Sequence, residues 1–410
     1  MPEILLIRHA ESETNVSGIW NGRSDARLSP AGEASLEDLA KRFSTQNFEI
    51  VLTSPLERAV RTASAVSSEF EVEDDLIEID LGEWEGKTHD EVTVDHGEEL
   101  AAAVRGGDVP MGRTGETLSA VSARSWSTIN RLVSRLAPRG RAVVVTHGGV
   151  LQSLLDPFLR GRRRRAHSFV GNTSVTRLLW SGERARLGSF NDLGHFGPRS
   201  RLVTDHLDAG VPVIALIRHG QTSANLEGRW QGQADSDLNG LGHSQAAALR
   251  DWYGTWDTVY ASPLGRAQTT AGYLANNGLV TVDGLMELAM GQWEGLTSSE
   301  IGDRWPGLME TIYEEGIDLK RGEDGESWGE MTHRFANTVH GLAPATSGPT
   351  LAVAHGGAIR AYVSSLTSTR DSHAESLYTP PNTSVTHVAM TSDGPLLLDY
   401  AVAAHVEGLS

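Results

Sequence analysis

The chain repeats itself once, and that repetition limits its architecture more than any other feature. ILLIRHAESETN (4–15) returns as VIALIRHGQTSAN (213–225), and SPLERAVRTA (54–63) as SPLGRAQTTA (262–271). IEIDLGEWEGKT (77–88) then pairs with MELAMGQWEGLT (286–297), VVVTHGG (143–149) with LAVAHGG (351–357), and NTSVT (172–176) with NTSVT (382–386). Five blocks in the same order, 208–210 residues apart, mean two copies of one domain; a solenoid needs more and shorter repeats. The length of 410 residues agrees, being too long for one ordinary core and comfortable for two. The expected division is a first domain over 1–200, a linker over 201–210 containing little periodicity, and a second domain over 211–410.

Within each copy, strand and helix patterns alternate. Glu3–Ile7 is an apolar run that ends at Arg8-His9, and Ser29-Pro30 reads as an N-cap and first helical residue opening a helix to about Ser44. Phe48–Leu52 is expected as a strand, and Pro55 as the opening of a helix with Leu56, Ala59, Ala63 and Val66 on one face. A long helix follows over Thr117–Leu136, then a buried strand over Arg141–Val145 leading into Thr146-His147. Such alternation implies an α/β fold, a mostly parallel sheet covered on both faces. Arg8, His9 and His147 fall just past strand ends, where open α/β sheets bind ligands.

Composition narrows the function classes. Hydrophobic residues are 39% and charged residues 21%, as in globular proteins. No window approaches ~18 consecutive apolar residues, and the N-terminus reads as a strand rather than a signal segment. The absence of cysteine excludes disulfides, thiolate nucleophiles and cysteine metal sites, and fits a cytoplasmic location. A net charge of −18 argues against nucleic acid or an anionic membrane as partner. The charge is uneven: residues 1–207 hold 25 Lys+Arg and 29 Asp+Glu, residues 208–410 hold 10 and 24.

Each copy keeps two histidines at strand ends, two arginines, an asparagine after the first histidine, and a glutamate in an apolar setting: Leu76, Ile77 and Ile79 around Glu78, and Leu285, Met286 and Leu288 around Glu287. Such a setting raises a carboxyl pKa toward neutrality. The set suits phosphoryl transfer without a metal or other cofactor. Arginine presents a planar donor fork to phosphate oxygens, imidazole attacks phosphorus, and a carboxylic acid delivers a proton. Trp84 and Trp293 read as packing anchors, with Glu85 and Glu294 beside them as surface or cap residues. The remaining histidines lack metal-ligand spacing, and no HExxH, Walker loop or dinucleotide fingerprint is present.

RHAESETN and RHGQTSAN, together with SxLxRAxxTA, GxWEG and HGG, resemble the histidine phosphatase superfamily, end to end in both copies. The resemblance implies two copies of a phosphoglycerate mutase-like three-layer α/β/α fold. It makes His9 and His219 the nucleophiles, and Glu78 and Glu287 the general acids that later activate water. Arg8, Arg58 and His147 would line the first phosphate pocket, and Arg218, Arg266 and His355 the second, with Asn15 and Asn225 helping to hold the phosphoryl group. Glu78 and His147 lie 69 residues apart, and Glu287 and His355 lie 68 apart. That short segment is similar to the phosphatase branch, acting on a small phosphorylated metabolite such as a sugar phosphate. Phosphoglycerate mutase chemistry is the alternative, as is one copy serving only a regulatory or structural role.

The copies also differ. Ala10 stands where copy two has Gly220, adding a Cβ that would crowd or shift the first pocket, and Gln152 stands where copy two has Arg360. Neither change deletes a chemical group, so both copies are expected to be competent. The basic run Arg160–Arg165, interrupted only by Gly161, reads either as a solvated loop or as an electropositive rim that recruits a more anionic substrate. A homo-oligomer is left open, since an internal tandem can replace the dimer that single-copy relatives form.

Overall fold

A computed structural model of the chain describes all residues except 105–106, 160–165, 183, 314, 343, 346–347, 368–375 and 410. The chain divides into two units, Met1–Arg164 with Phe169–His195, and Arg165–Ser168 with Phe196–Ser410. No described helix is long and apolar enough to cross a membrane.

Unit 1 runs β1 (Glu3–Arg8), α1 (Glu13–Val16), α2 (Pro30–Phe43), β2 (Ile50–Thr53), α3 (Glu57–Val66), β3 (Glu71–Val72), α4 (His89–Val104), α5 (Leu118–Arg135), β4 (Arg141–Thr146), α6 (Gly148–Leu159), β5 (Val175–Ser181) and β6 (Arg184–Asp192). The sheet order is β3-β2-β4-β1-β5-β6. The pairs β1–β4, β2–β4 and β2–β3 are parallel, while β5 runs antiparallel to both β1 and β6. Side chains alternate across the pleat. Leu5, Ile7, Val143 and Val145 pack with Leu39 and Phe43 of α2 and Ala59 and Ala63 of α3. Ile4, Leu6, Ala142 and Val144 point the other way and are fully buried, on the face against which α6 packs. Helices on both faces make the three layers.

Two boundaries shift from expectation. β2 begins at Ile50 rather than Phe48, because Phe48 packs edge-on against Phe43 instead. α3 begins at Glu57, with Ser54-Pro55-Leu56 forming the turn that enters it.

Unit 2 opens on α7 (Arg201–Asp208) and repeats the order: β7 (Val213–Arg218), α8 (Ser223–Leu226), α9 (Gly240–Tyr253), β8 (Trp256–Ala261), α10 (Gly265–Leu274), β9 (Ala275–Thr281), α11 (Ser298–Arg304), α12 (Leu308–Tyr313), α13 (Trp328–Gly341), β10 (Thr350–Ala354), α14 (Gly356–Thr367), β11 (Val385–Thr391) and β12 (Gly394–Leu397). Its sheet order, β12-β11-β7-β10-β8-β9, is that of unit 1 read from the other edge. The stretch 201–210, expected as a linker, is mostly helix. Val203 of α7 is fully buried with Val213, Ala389 and Leu398, and Leu207 packs beside it. Residues four apart on one helical face supplied enough apolar surface to fold the segment onto unit 2.

Candidate active site

Strand register assembles the site. In unit 1, Arg8 pairs with Thr146 across β1–β4, and Thr53 with Val145 across β2–β4, so the next residues, His9, His147 and Ser54, emerge level at one sheet end. The His9 amide donates to Thr146 O at 2.9 Å and the Ser54 amide to Val145 O at 3.0 Å. The two imidazoles face each other with centroids 5.0 Å apart. α3 brings Arg58, whose Nη1 and Nη2 donate to Ser24 O and Gly22 O at 2.8 Å each. Arg8 Nη1 donates to Val170 O at 2.6 Å, and Arg8 Nε is buried with no partner among the described residues.

His9 Nδ1 lies 2.7 Å from Ala10 O. A carbonyl oxygen only accepts, so the proton sits on Nδ1 and Nε2 carries the free lone pair. His147 Nε2 is 2.6 Å from Ser54 Oγ, and its Nδ1 is buried without a partner among the described residues. Glu78 approaches from the turn after Leu76. Its Oε2 accepts from the Gly149 amide at 3.0 Å, in the first turn of α6, and its Oε1 from the Ile79 amide at 2.8 Å. The second glycine of HGG is thereby explained, since a Cβ on Gly149 would sit 2.7 Å from Glu78 Oε1.

Unit 2 reproduces this constellation. His219 Nδ1 is 2.7 Å from Gly220 O, His355 Nε2 is 2.8 Å from Ser262 Oγ, and the ring centroids are 5.2 Å apart. Arg266 donates to Ala234 O and Gly232 O, Arg218 to Pro380 O, and the Gly357 amide to Glu287 Oε2 at 2.9 Å. All twelve residues singled out in the sequence fall at these two places. The bond from Nδ1 to the next carbonyl is 2.7 Å both at His9, before Ala10, and at His219, before Gly220, where a Cβ would stand 2.6 Å from Gly242 O.

Burial decides the charge states. It pushes the pKa of His9 well below 6.5, aided by Arg8 and Arg58, and does the same to His147, His219 and His355. All four imidazoles are therefore neutral near pH 7. Burial also lowers the arginines, Arg218 to about 10, but leaves them charged. It raises Glu78 above its ordinary value, against the pull of the Gly149 and Ile79 amides and of Arg58 and Arg8. Each pocket thus joins two neutral imidazoles to two fixed cations.

Several contributing residues escaped the sequence reading. Ser54 and Ser262 hold the second histidines. Thr62 and Thr270 accept from the amides of Ala10 and Gly220. Asn172 Nδ2 ties His9 O to Asn15 Oδ1, and Asn382 ties His219 O to Asn225 Oδ1. Asn15 itself closes a capping box with Ser12, and Asn225 with Thr222. Thr173 and Thr383 follow in left-handed conformations, φ 57° and 60°, unusual for β-branched residues. Arg124 and Arg334 donate to the carbonyls of Glu78 and Glu287 while ion-pairing with Glu116 and Glu326. Apart from Ser12 and Thr222, all are identical between the copies, and that identity was the available signal. Glu85 and Glu294 are neither mere surface nor cap. Glu85 accepts from the Gly22 and Ser24 amides and Glu294 from that of Gln233, bracing the loops whose carbonyls hold Arg58 and Arg266. Trp84 and Trp293 are buried anchors as expected. The Arg160–Arg165 run lies outside the described residues.

The histidine phosphatase superfamily (branch 1) matches residues 4–193 and, a second time, 214–403. The metal-independent phosphoserine phosphatase of Arabidopsis thaliana is 32% identical over 163 residues, 38% of this chain and 68% of that protein. The adenosylcobalamin/alpha-ribazole phosphatase of Escherichia coli is 30% identical over 154 residues, 37% of this chain and 75% of that protein. The glucosyl-3-phosphoglycerate phosphatase of Mycobacterium tuberculosis is 35% identical over 167 residues, 37% of this chain and 74% of that protein.

Proposed function

The chain belongs to the histidine phosphatase superfamily, branch 1, as a phosphoric monoester hydrolase, and from that premise we propose that each unit hydrolyses a phosphomonoester of a small metabolite through a phosphohistidine. Nε2 of His9, or of His219, attacks phosphorus. The N–P bond forms as the P–O bond to the leaving group breaks, and Glu78, or Glu287, gives its proton to the departing oxygen. The resulting carboxylate takes a proton from water, whose oxygen attacks phosphorus and frees the histidine and inorganic phosphate. Arg8 and Arg58, with Arg218 and Arg266 in unit 2, stabilise the charge on the transferring group. His147 and His355 turn Nδ1–H to a phosphoryl oxygen once serine occupies Nε2. The likeness to a phosphatase named metal-independent supports a reaction without a bound ion. Relatives named for phosphoserine, glucosyl-3-phosphoglycerate and α-ribazole substrates support a small phosphorylated metabolite as the class.

The observation that carries this reading is the proton on Nδ1, fixed by the next residue's carbonyl in both copies, which leaves Nε2 free to attack. The test is phosphate release in EDTA by the wild type, His9→Ala, His219→Ala and the double variant, across phosphoserine, phosphoglycerates and sugar phosphates. Each single variant is expected to lose one unit's turnover and the double variant all of it, with no interconversion of 2- and 3-phosphoglycerate. Full activity in the double variant overturns the reading. Loss with His219→Ala alone overturns it for unit 1.

A further inference from the structure

The two units share their phosphate-handling groups but not what stands beside them. In unit 2, Arg360 lies on α14, one turn beyond Gly356, whose Cβ position is 2.9 Å from Arg218 Nε. Side chains on a helix lean toward its N-terminus, here the end that carries His355 and the pocket. The Arg360 guanidinium stacks on Trp328 at 4.9 Å from the ring centroid, and its Nε is buried without a hydrogen-bond partner. Among the described residues no carboxylate lies within ion-pair distance of it. That isolation is notable in a half holding 24 acidic and 10 basic residues.

Two further observations place Arg360 beside the pocket. Trp328 opens α13 two residues after Glu326, whose carboxylate accepts from the Ala289 amide just past Glu287. Burial raises the Tyr400 phenol, while Arg360 and Arg218 both pull it down, so one phenol lies in the field of both guanidiniums. Tyr400 also donates to Tyr378 O at 2.6 Å, bracing the loop whose Pro380 carbonyl holds Arg218. At the corresponding positions unit 1 has Gln152, Leu118 and Phe190.

We propose that Arg360, stacked on Trp328, is a specificity residue of unit 2 that binds a second anionic group of the substrate, a carboxylate or second phosphate, beyond the phosphoryl group held by Arg218 and Arg266. The inference rests on the phosphatase reading and deepens it. A guanidinium on an aromatic face keeps its charge and its in-plane donors, and it presents a fork to a planar or tetrahedral anion. Unit 2 accordingly selects phosphomonoesters that carry a second anionic group at their far end, as unit 1 with Gln152 does not through this position.

The test uses full-length His9→Ala, so that unit 2 alone turns over, with matched substrates: 3-phosphoglycerate, glycerol 3-phosphate, which lacks the carboxylate, and propane-1,3-diol bisphosphate, which carries a second phosphate. Arg360→Gln, the residue unit 1 uses, is expected to lower the kcat/KM of one of the two substrates that carry a second anionic group relative to glycerol 3-phosphate roughly tenfold or more, chiefly through KM. Arg360→Lys should recover part of the ratio. The substrate that loses most identifies carboxylate or phosphate as the second group. Turnover of glycerol 3-phosphate with both ratios unchanged overturns the inference and leaves the phosphatase reading standing. No release from any substrate overturns that reading for unit 2, and this inference with it.

Discussion

Gly149 and Glu78 are fitted so closely that one excludes any larger version of the other: the amide of Gly149 donates to Oε2 at 3.0 Å, and a methyl on Gly149 would stand 2.7 Å from Oε1. Gly149→Ala should therefore displace the carboxyl while leaving the fold intact, because the obstructing atoms, Glu78 Oε1 and Ile79 Cγ2 at 2.9 Å, both belong to side chains rather than backbone. A displacement near 1 Å costs on the order of a hundredfold in rate. The check is phosphate release by unit 1 in a His219→Ala background, with circular dichroism to confirm folding. A folded variant with wild-type turnover would show that Glu78 has no role in the rate.

Ser54 is the hydroxyl at 2.6 Å from His147 Nε2, inside a fully buried pair. Ser54→Ala strands that nitrogen, at a cost of about 1–3 kcal/mol in stability. Unit 1 turnover should fall roughly tenfold, equivalent to ~1.4 kcal/mol of lost transition-state stabilisation. Unit 2, with its own Ser262, should be unaffected, and separate assays in His9→Ala and His219→Ala backgrounds read the difference.

Four imidazoles held neutral make the protein sensitive to acid. His9, His147, His219 and His355 are depressed well below 6.5, so the unfolded chain binds more protons than the native one below that pH. Their stabilising contribution is whole above pH 6.5 and is lost as pH falls toward the folded values. Glu78 works in the other direction: raised above 4.5, it contributes stability below 4.5 that disappears as pH rises through its folded value. With the histidines outnumbering it, the unfolding free energy is expected to drop between pH 7 and pH 5, by up to about 1.4 kcal/mol per pH unit per imidazole, and the urea midpoint to fall with it. His147→Gln should make the drop shallower, and a flat midpoint across that range refutes the account. Unit 1 turnover, read in a His219→Ala background, should decline on the alkaline side as Glu78 loses its proton.

Unit 2 alone contains a buried chain in which Tyr253 Oη meets His387 Nε2 at 2.8 Å and His387 Nδ1 meets Asp399 Oδ2 at 2.8 Å. Unit 1 has Phe43, Arg177 and Ser189 at the matching positions. Asp399→Ala should cost unit 2 about 1–3 kcal/mol or more, by leaving buried donors unmatched. Thermal inactivation should then come earlier for unit 2 turnover and stay unchanged for unit 1. Equal shifts in both would contradict the assignment.

The sequence disclosed the tandem, the layered α/β fold and the twelve residues that cluster at the two candidate sites because each depends on a pattern: periodic apolar residues, strand-end dipeptides, and recurrence at a fixed separation. It disclosed less where a residue acts through one hydrogen bond on another. Nothing about serine at 54 announces a bond to a histidine 93 positions later, and Asn172 reaches His9 only because β1 and the start of β5 are neighbours. The helix at Arg201–Asp208 was passed over for a different reason: Val203 and Leu207 make a face of only two residues, whose burial depends on Val213 and Leu398.

The proton on His9 is held by the main chain of residue 10, which every amino acid supplies alike. Substitution at that position can change the side chain, as Ala10 and Gly220 already show, without altering which nitrogen carries the proton. After a duplication, this makes the tautomer of the proposed nucleophile the most drift-tolerant feature of each site. The surrounding contacts, made by side chains, are where mutation can give twin sites separate careers without silencing either one.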